Sequence, residues 1–206
     1  MSSSRTTRVP ADVDRKALWV VKELGLPTIL KGCVCGHSRH RPTGKFRVNA
    51  SGKLLDVWLL IGCELCGRTS KIPLNERIHV RTLDHERLVR FEKNDPAMVR
   101  ELAMDTALAG KSAYRLDWAG TWELETDLPF YELDGEDPAP LEVVVRFELP
   151  APVRVIKLLT AGFGLSRNVV RNMVAAGRVQ LPMDVDARAR QDFTFFVRPD
   201  CPPAAS

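Results

Sequence analysis

The sequence has few cysteines and no long apolar run. Five cysteines occur among 206 residues, and no stretch stays apolar over the roughly 20 residues that a membrane-spanning helix needs. Residues 1–9 are polar and basic, without the apolar segment of a secretory signal. We therefore expect a cytoplasmic protein that does not associate with membranes. Because thiols stay reduced in the cytoplasm, we expect metal binding or redox chemistry in preference to disulfides.

The short motifs of common active sites are also missing. There is no HExxH, no GxSxG and no phosphate-binding P-loop. The zinc-deaminase pattern, H-x-E followed by P-C-x-x-C, fails because Gly62 precedes Cys63 and no H-x-E lies upstream. We accordingly predict no catalytic residues and a protein that is not an enzyme.

Charge is distributed unevenly along the chain. The formal net charge of +4 divides into +9 over residues 1–93, −9 over residues 94–150 and +4 over residues 151–206. Basic segments often contact nucleic acid, although many are only solvated faces. Two basic segments on either side of an acidic one are thus a first indication of a nucleic-acid partner.

Composition and turn signals predict an α+β protein. Apolar residues make up 45% and charged residues 27%, as in ordinary globular proteins. Asn94 or Asp95 suits the start of a helix that Gly110 would end. Residues 17–24 and 141–149 favour strands. We expect a disordered arm (1–12), a β module that contains four of the five cysteines (13–93), an acidic segment of mixed α/β structure (94–150), a helix-turn-helix with short strands (151–198) and a tail (199–206).

Four of the five cysteines form two closely spaced pairs, Cys33-x-Cys35 and Cys63-x-x-Cys66, and a glycine follows each pair. Glycine tolerates the left-handed backbone of a tight turn, and two such turns facing each other offer four thiolates in a tetrahedron that suits Zn²⁺. We predict one structural Zn²⁺, because four protein ligands leave no open position for catalysis. Substitution of a cysteine ligand by His37 or His40, and an iron–sulfur cluster, remain alternatives. Cys201 is expected to be a free thiol in the tail.

The residues between the two pairs predict a β-hairpin that brings the pairs together. Every second residue is apolar in 45–50 and again in 53–61. The two apolar faces coincide only if the numbers of paired residues add up to an odd value. This combination of hairpin and paired cysteine turns is typical of a zinc ribbon.

The outward face of this hairpin is basic and carries a tryptophan. No acidic residue lies between Leu24 and Asp56. A two-residue turn at 51–52 places Arg47 opposite Asp56 and Lys45 opposite Trp58. Cationic side chains beside an aromatic ring match the phosphates and bases of single-stranded nucleic acid, whereas a buried Trp58 would belong to the core. The residues predicted to contact nucleic acid here are Arg41, Lys45, Arg47, Lys53 and Trp58.

Residues 153–181 favour a helix, a turn, a second helix and a strand, with Ser166 capping the second helix. The segment resembles the alpha-L (S4-like) RNA-binding motif of a ribosomal small-subunit protein, pseudouridine synthases and bacterial tyrosyl-tRNA synthetases. The resemblance rests on the basic first helix, on residues 165–167, on residues 177–179 and on 193–197 as a closing strand. It implies RNA-backbone contacts by Arg154, Lys157, Arg167, Arg171 and Arg178. A plain helical hairpin with solvated arginines is the alternative.

Most of the chain also resembles an uncharacterised bacterial domain-of-unknown-function family (DUF1062 type). The segments that carry this resemblance are the C-x-C-G pair, PTGKFRVNASGKLLDVWLL and CELCGRT. The resemblance implies a zinc-containing bacterial protein and brings no established activity.

Three functional hypotheses follow from these features. The first is a non-enzymatic zinc protein that binds structured RNA, such as ribosomal or transfer RNA. The second is a protein-interaction adaptor with a structural zinc site, in which the ribbon or the acidic segment docks a protein partner. The third is an enzyme or a thiol switch of unknown reaction.

Overall fold

The computed structural model describes residues 15–127 and 140–198. The predicted arm (1–12), the predicted tail (199–206) with Cys201, and the loop-like residues 133–139 lie outside the described residues. The described chain has a mixed α+β fold made mostly of sheets, with five α-helices, which agrees with the predicted class. None of the helices in this part of the chain is long and apolar enough to cross a membrane.

The strands are β1 (Arg15–Glu23), β2 (Thr28–Leu30), β3 (Arg39–Ser51), β4 (Leu54–Cys63), β5 (Thr69–His79), β6 (Arg115–Asp117), β7 (Trp122–Thr126), β8 (Leu141–Phe147), β9 (Val153–Arg154), β10 (Val179–Gln180), β11 (Arg188–Ala189) and β12 (Phe193–Val197). The helices are α1 (His85–Glu92), α2 (Pro96–Ala103), α3 (Thr106–Lys111), α4 (Val155–Phe163) and α5 (Arg167–Ala175), and a 3-10 turn spans Val80–Thr82. The strands predicted near residues 17–24 and 141–149 are thus present as β1 and β8.

The chain divides into two compact units. Leu24–Thr121 forms one, here called the cysteine unit, and the segments on either side of it form the other, here called the helix-pair unit. This division differs from the three predicted segments because β1 pairs in parallel with β8 and antiparallel with β7. The predicted acidic segment 94–150 is therefore shared, its helices lying in the first unit and its strand β8 in the second.

The cysteine unit is a five-stranded sheet in the order β5-β4-β3-β2-β6, with α1, α2 and α3 on one face. The alternation in β4 buries every second side chain, including Val57, Leu59 and Ile61, each 0% exposed. These residues pack with Phe46 and with apolar helix residues such as Phe91. The face opposite the helices, here called the outer face, carries the alternate residues of the same strands, such as Arg47 on β3 and Trp58 on β4.

The β3–β4 hairpin keeps the predicted faces but not the predicted pairing. Ser51 pairs with Leu54, so the turn residues are Gly52 and Lys53, and the pairs from Phe46 to Ser51 are displaced by two residues from the prediction. Beyond the register shift between Pro42 and Phe46, the pairs from His40 to Pro42 have the predicted register. Gly52 has a φ of 60°, and a two-residue hairpin turn with positive φ at its first position favours glycine there. Ser51 can then keep an extended backbone as the last residue of β3.

The predicted helix over residues 94–110 is split into α2 and α3. Asp95 caps α2 by accepting a hydrogen bond from the N–H of Met98 at 2.8 Å, as predicted. The chain leaves the helix after Ala103, and the carboxylate of Asp105 accepts from the N–H groups of Ala107 and Leu108 to begin α3. Helix α2 cannot continue into α3 because Asp105, as the N-cap of α3, adopts a non-helical backbone.

The helix-pair unit contains a sheet in the order β10-β12-β8-β1-β7 and a small two-stranded sheet of β9 and β11. Helices α4 and α5 form the predicted helix-turn-helix, and the hydroxyl of Ser166 caps α5 by accepting from the N–H of Val169. Trp19 is 0% exposed and meets the rings of Phe163 and Phe195 edge-on, with centroids 5.2 Å away in both cases. Residues 193–197, predicted as the closing strand, form β12, which pairs with β10 and β8.

Candidate metal centre

The two cysteine pairs lie in tight turns at one end of the hairpin. The first turn precedes β3 and the second follows β4, and these antiparallel strands bring His40 opposite Cys63. In each turn a glycine N–H donates to a cysteine carbonyl at 3.0 Å, from Gly36 to Cys33 and from Gly67 to Cys63. The two glycines have φ values of 85° and 69°, a left-handed backbone that side chains with a Cβ rarely adopt. Each turn thus depends on its glycine, as the sequence predicted.

The four sulfur atoms converge. Cys33 Sγ lies 3.7 Å from Cys66 Sγ, Cys35 Sγ lies 3.7 Å from Cys63 Sγ, and all four lie within 4.8 Å of one another. A disulfide would require about 2.05 Å, so these are free thiols. A regular tetrahedron with 3.7 Å edges has its centre about 2.3 Å from each corner, which matches a Zn–S bond. The cluster is therefore close enough to hold one metal ion.

Local hydrogen bonding favours a negative sulfur in the second turn. The backbone N–H of Cys66, with a further contribution from that of Leu65, lowers the pKa of Cys63 to about 6. At Cys35 the N–H of His37 also favours the thiolate, but burial and the three neighbouring thiols together raise the pKa of Cys35 to about 12. Four thiolates at this spacing repel one another, and a divalent cation among them would compensate their charge.

Neither histidine considered as a substitute ligand belongs to the cluster. Among residues 15–127 and 140–198, the metal-ligating group consists of the four cysteines, without His37 or His40. His40 is fully buried beside the site, and its Nδ1 lies 3.2 Å from the carbonyl oxygen of Ser38. The described residues thus bring together four cysteines, without either histidine, as a group that could hold a metal ion.

Glu64, between the cysteines of the second pair, ties this turn to the sheet. Its carboxylate accepts from Arg41 Nε at 2.7 Å and from Arg39 Nε at 3.3 Å. Arg39 also donates to Asp117 at 2.9 Å and to Thr28 at 3.0 Å. Arg41, and to a lesser extent Arg39, lower the pKa of Glu64. Sequence reasoning missed this network, although an acidic residue inside a metal turn that follows a long basic stretch was a signal for it.

The outer face of the sheet brings Arg47 and Trp58 together. Arg47 is the direct cross-strand partner of Trp58, which in turn pairs with Pro73 on β5. The Nζ of Lys71 lies 4.7 Å from the centroid of the Trp58 ring. Trp58 is half-buried, whereas Arg47 and Lys71 are exposed. The predicted face therefore exists, with Lys71 and Pro73 as members that sequence reasoning did not find.

The other basic residues predicted in this unit are less closely grouped. Lys45, expected opposite Trp58, lies where the β3–β4 register shifts between Pro42 and Phe46. Lys53 occupies the hairpin turn, and Arg41 is held by Glu64. Both lysines are exposed.

The five residues of the helix-pair unit that were predicted to contact RNA have different surroundings. Arg154 and Arg167 are exposed at the N-terminal ends of α4 and α5. Lys157 lies over the ring of Trp122, with 4.8 Å to the centroid, and Arg171 forms an ion pair with Asp186. Arg178 is half-buried after the end of α5.

Comparison with known proteins gives one family. The family model described as "Protein of unknown function (DUF1062)" matches residues 48–185, which is more than half of the chain. No curated protein and no solved structure matches the chain. The family match covers the second cysteine pair and the helix pair, and it assigns neither a function.

Proposed function

The chain belongs to the DUF1062 family of proteins of unknown function, and we propose that it is a cytoplasmic zinc protein that binds structured RNA without catalysing a reaction. In this proposal the zinc ion holds the two cysteine turns as in a zinc ribbon. The outer face and the helix pair supply contacts to RNA, the latter in the manner of the alpha-L motif.

Zinc is the metal that this cluster suits best. Four thiolates in tetrahedral reach, carried on two glycine turns, are the ligand set of structural Zn²⁺. Four sulfur ligands also close the coordination shell, so no position is left for a water molecule or a substrate. This is the reason for proposing a structural ion in place of a catalytic one.

The single observation that supports RNA binding is that exposed, positively charged side chains lie beside the ring of Trp58. Arg47 and Lys71 are exposed on either side of a half-buried indole. Asp56, two residues before Trp58 on β4, accepts a hydrogen bond from the N–H of Arg77 at 2.8 Å. Cations beside an aromatic ring serve phosphates and bases together. Arg154 and Arg167 at the helix starts offer further phosphate contacts in the other unit.

Salt dependence of binding tests this proposal. Four phosphate contacts, from Arg47, Lys71, Arg154 and Arg167, should make the affinity for labelled transfer RNA fall about 100-fold between 50 and 200 mM KCl. Arg167→Ala should reduce the slope of log K against log salt by about 1. Lys93→Ala, an exposed lysine after α1, should leave it unchanged. Absence of binding at 50 mM KCl would refute the proposal.

A protein-interaction adaptor is the second candidate, favoured by the tips of the metal turns. Val34 is 79% exposed and Leu65 is 68% exposed, each between the two cysteines of its pair. Exposed apolar side chains on a rigid turn are typical of protein docking sites. A single protein partner that survives nuclease treatment in a pull-down and is lost with Leu65→Ser would support this candidate over RNA binding.

A further inference from the structure

We propose that the outer face at Trp58 binds unpaired RNA nucleotides, with one base stacked on the indole and the adjacent phosphates at Arg47 and Lys71. This inference rests on the proposed RNA binding, and it specifies the form of RNA that the cysteine unit takes. The site spans three neighbouring strands, with Arg47 on β3, Trp58 on β4 and Pro73 on β5.

The geometry offers a shallow platform. Neighbouring strands lie about 4.8 Å apart, so Arg47 and Pro73 stand on either side of the indole at the width of one strand. Trp58 is held in place because its neighbours along the chain, Val57 and Leu59, are both fully buried. A ring fixed from below and bordered by side chains of the next strands can accept a flat ligand on the side that faces solvent.

Lys71 at present covers the ring that the base would need. Its ammonium group lies 4.7 Å from the ring centroid, on an exposed side chain. An exposed cation–π contact contributes less than stacking of a base on an aromatic ring. The base therefore displaces the ammonium group, and the flexible stem of Lys71 lets it turn towards a phosphate of the same strand.

An unpaired segment fits this surface better than a duplex. Bases of an A-form duplex are stacked on one another, and the deep major groove keeps them from side chains on a flat sheet. Because the indole of Trp58 is half-buried in the sheet, only a base that is not stacked on its neighbours can reach it. An acidic peptide would match Arg47 and Lys71 but would leave the ring unused.

The experiment compares a labelled ten-nucleotide oligouridylate with an RNA hairpin of equal phosphate number, using the full chain. Trp58→Ser should weaken oligouridylate binding about 10-fold and hairpin binding less than about 2-fold. Trp58→Phe should keep the oligouridylate affinity within about 3-fold because stacking is preserved. It should also reduce the quenching of tryptophan fluorescence by the oligouridylate, since the base then no longer contacts Trp58, one of four tryptophans. Lys71→Ala should lower the slope of log K against log salt for the oligouridylate by about 1. Lys93→Ala is its matched charge control and should leave the slope unchanged.

The outcomes separate this inference from the broader proposal. Oligouridylate binding that Trp58→Ser leaves unchanged, or fluorescence quenching that is undiminished in Trp58→Phe, would overturn the site while RNA binding itself still stood. Absence of binding to either RNA would refute the proposed function as well. Displacement of the oligouridylate by a ten-residue polyglutamate that itself depends on Trp58 would assign the face to an acidic peptide instead. Unchanged circular dichroism and zinc content in each variant exclude loss of folding as the cause.

Discussion

Serine in place of Cys66 provides a direct test of the metal site, with a magnitude set by the structure. Two pairs of sulfur atoms are 3.7 Å apart, and all four lie within 4.8 Å of one another. A regular tetrahedron with 3.7 Å edges has its centre about 2.3 Å from each corner, which is the length of a Zn–S bond. We therefore expect the purified protein to carry one zinc per chain. X-ray absorption at the zinc edge should show four sulfur neighbours at about 2.3 Å and no nitrogen neighbour.

The substitution removes one of these four ligands and leaves an open shell. We expect Cys66→Ser to lose most of its zinc during purification, because a structural site with three thiolates holds the ion much more weakly and exchanges it with solvent. Cys201→Ser changes the fifth cysteine, which belongs to neither closely spaced pair of the sequence, so this variant should retain one zinc per chain. Zinc content by elemental analysis, together with the absorption spectrum of the metal shell, gives the readout.

Loss of the ion should affect the two turns before it affects the sheet. The cysteine unit has its own core of buried residues in β4 and the helices, unlike the zinc-finger peptides whose folding depends on about 10–16 kcal/mol of metal binding. Hydrogen exchange should therefore accelerate first at residues 33–37 and 63–68, whose backbone bonds close the turns. Exchange in the centre of β4 should remain slow.

Three results would refute this reasoning. One is a zinc shell with a nitrogen neighbour, because the cluster of four sulfurs excludes histidine as a ligand. Another is full zinc occupancy in Cys66→Ser, which would mean that the ion lies elsewhere. The third is iron in place of zinc, with the short metal–metal distance of a cluster, because four thiolates also suit iron–sulfur centres.

Two further predictions concern stability. Gly162→Ala would place a Cβ 2.2 Å from the buried ring of Trp19, so we expect about 1–3 kcal/mol of destabilisation in urea unfolding. The control Gly110→Ala, whose Cβ would have no atom within 4 Å, should be neutral or stabilising. Equal effects of the two substitutions would contradict the packing argument. The pKa of Asp95 is lowered, chiefly by the N–H of Met98, so the stability it provides is present above its unfolded pKa and lost as pH falls through the folded one. Asp95→Ala should destabilise the protein at pH 7 by removing the helix cap, and it should flatten the acid limb of the stability curve. An unchanged acid limb would count against this assignment.

The individual strands and turns could be predicted from the sequence, but the register of the β3–β4 hairpin could not. A turn at 51–52 and a turn at 52–53 both keep the same residues on the apolar face, because a shift of two residues preserves the alternation. Only the positive φ of Gly52, 60°, distinguishes the turn at 52–53 from the turn at 51–52. As a result Arg47 meets Trp58 and not Asp56.

The division into two units could not be predicted from local sequence patterns, for a different reason. Strand β1 pairs with β8, so residue Arg15 lies beside Leu141 although more than a hundred residues separate them in the chain. Hydrophobic alternation identifies both strands but carries no information on which strand is the neighbour. The start of α3 could be predicted, in contrast, because Asp105, with the helix formers Ala107 and Leu108 two and three residues later, is a capping signal that the single predicted helix overlooked.

The charge around the metal changes the interpretation of the basic stretch between Leu24 and Asp56. A Zn²⁺ ion with four thiolates carries two net negative charges, and Arg39 and Arg41 lie beside the second turn, bound to Glu64. These two arginines therefore neutralise Glu64 and Asp117 and hold the second turn. The cations left for an anionic partner lie on the hairpin, at Lys45, Arg47 and Lys53, and on β5, at Lys71. Arg41→Ala should thus weaken zinc retention under a chelator while leaving the affinity for oligouridylate within about 2-fold of the original, and Arg47→Ala should do the reverse. Equal effects of both variants on RNA affinity would show that the positive charge acts as one continuous patch.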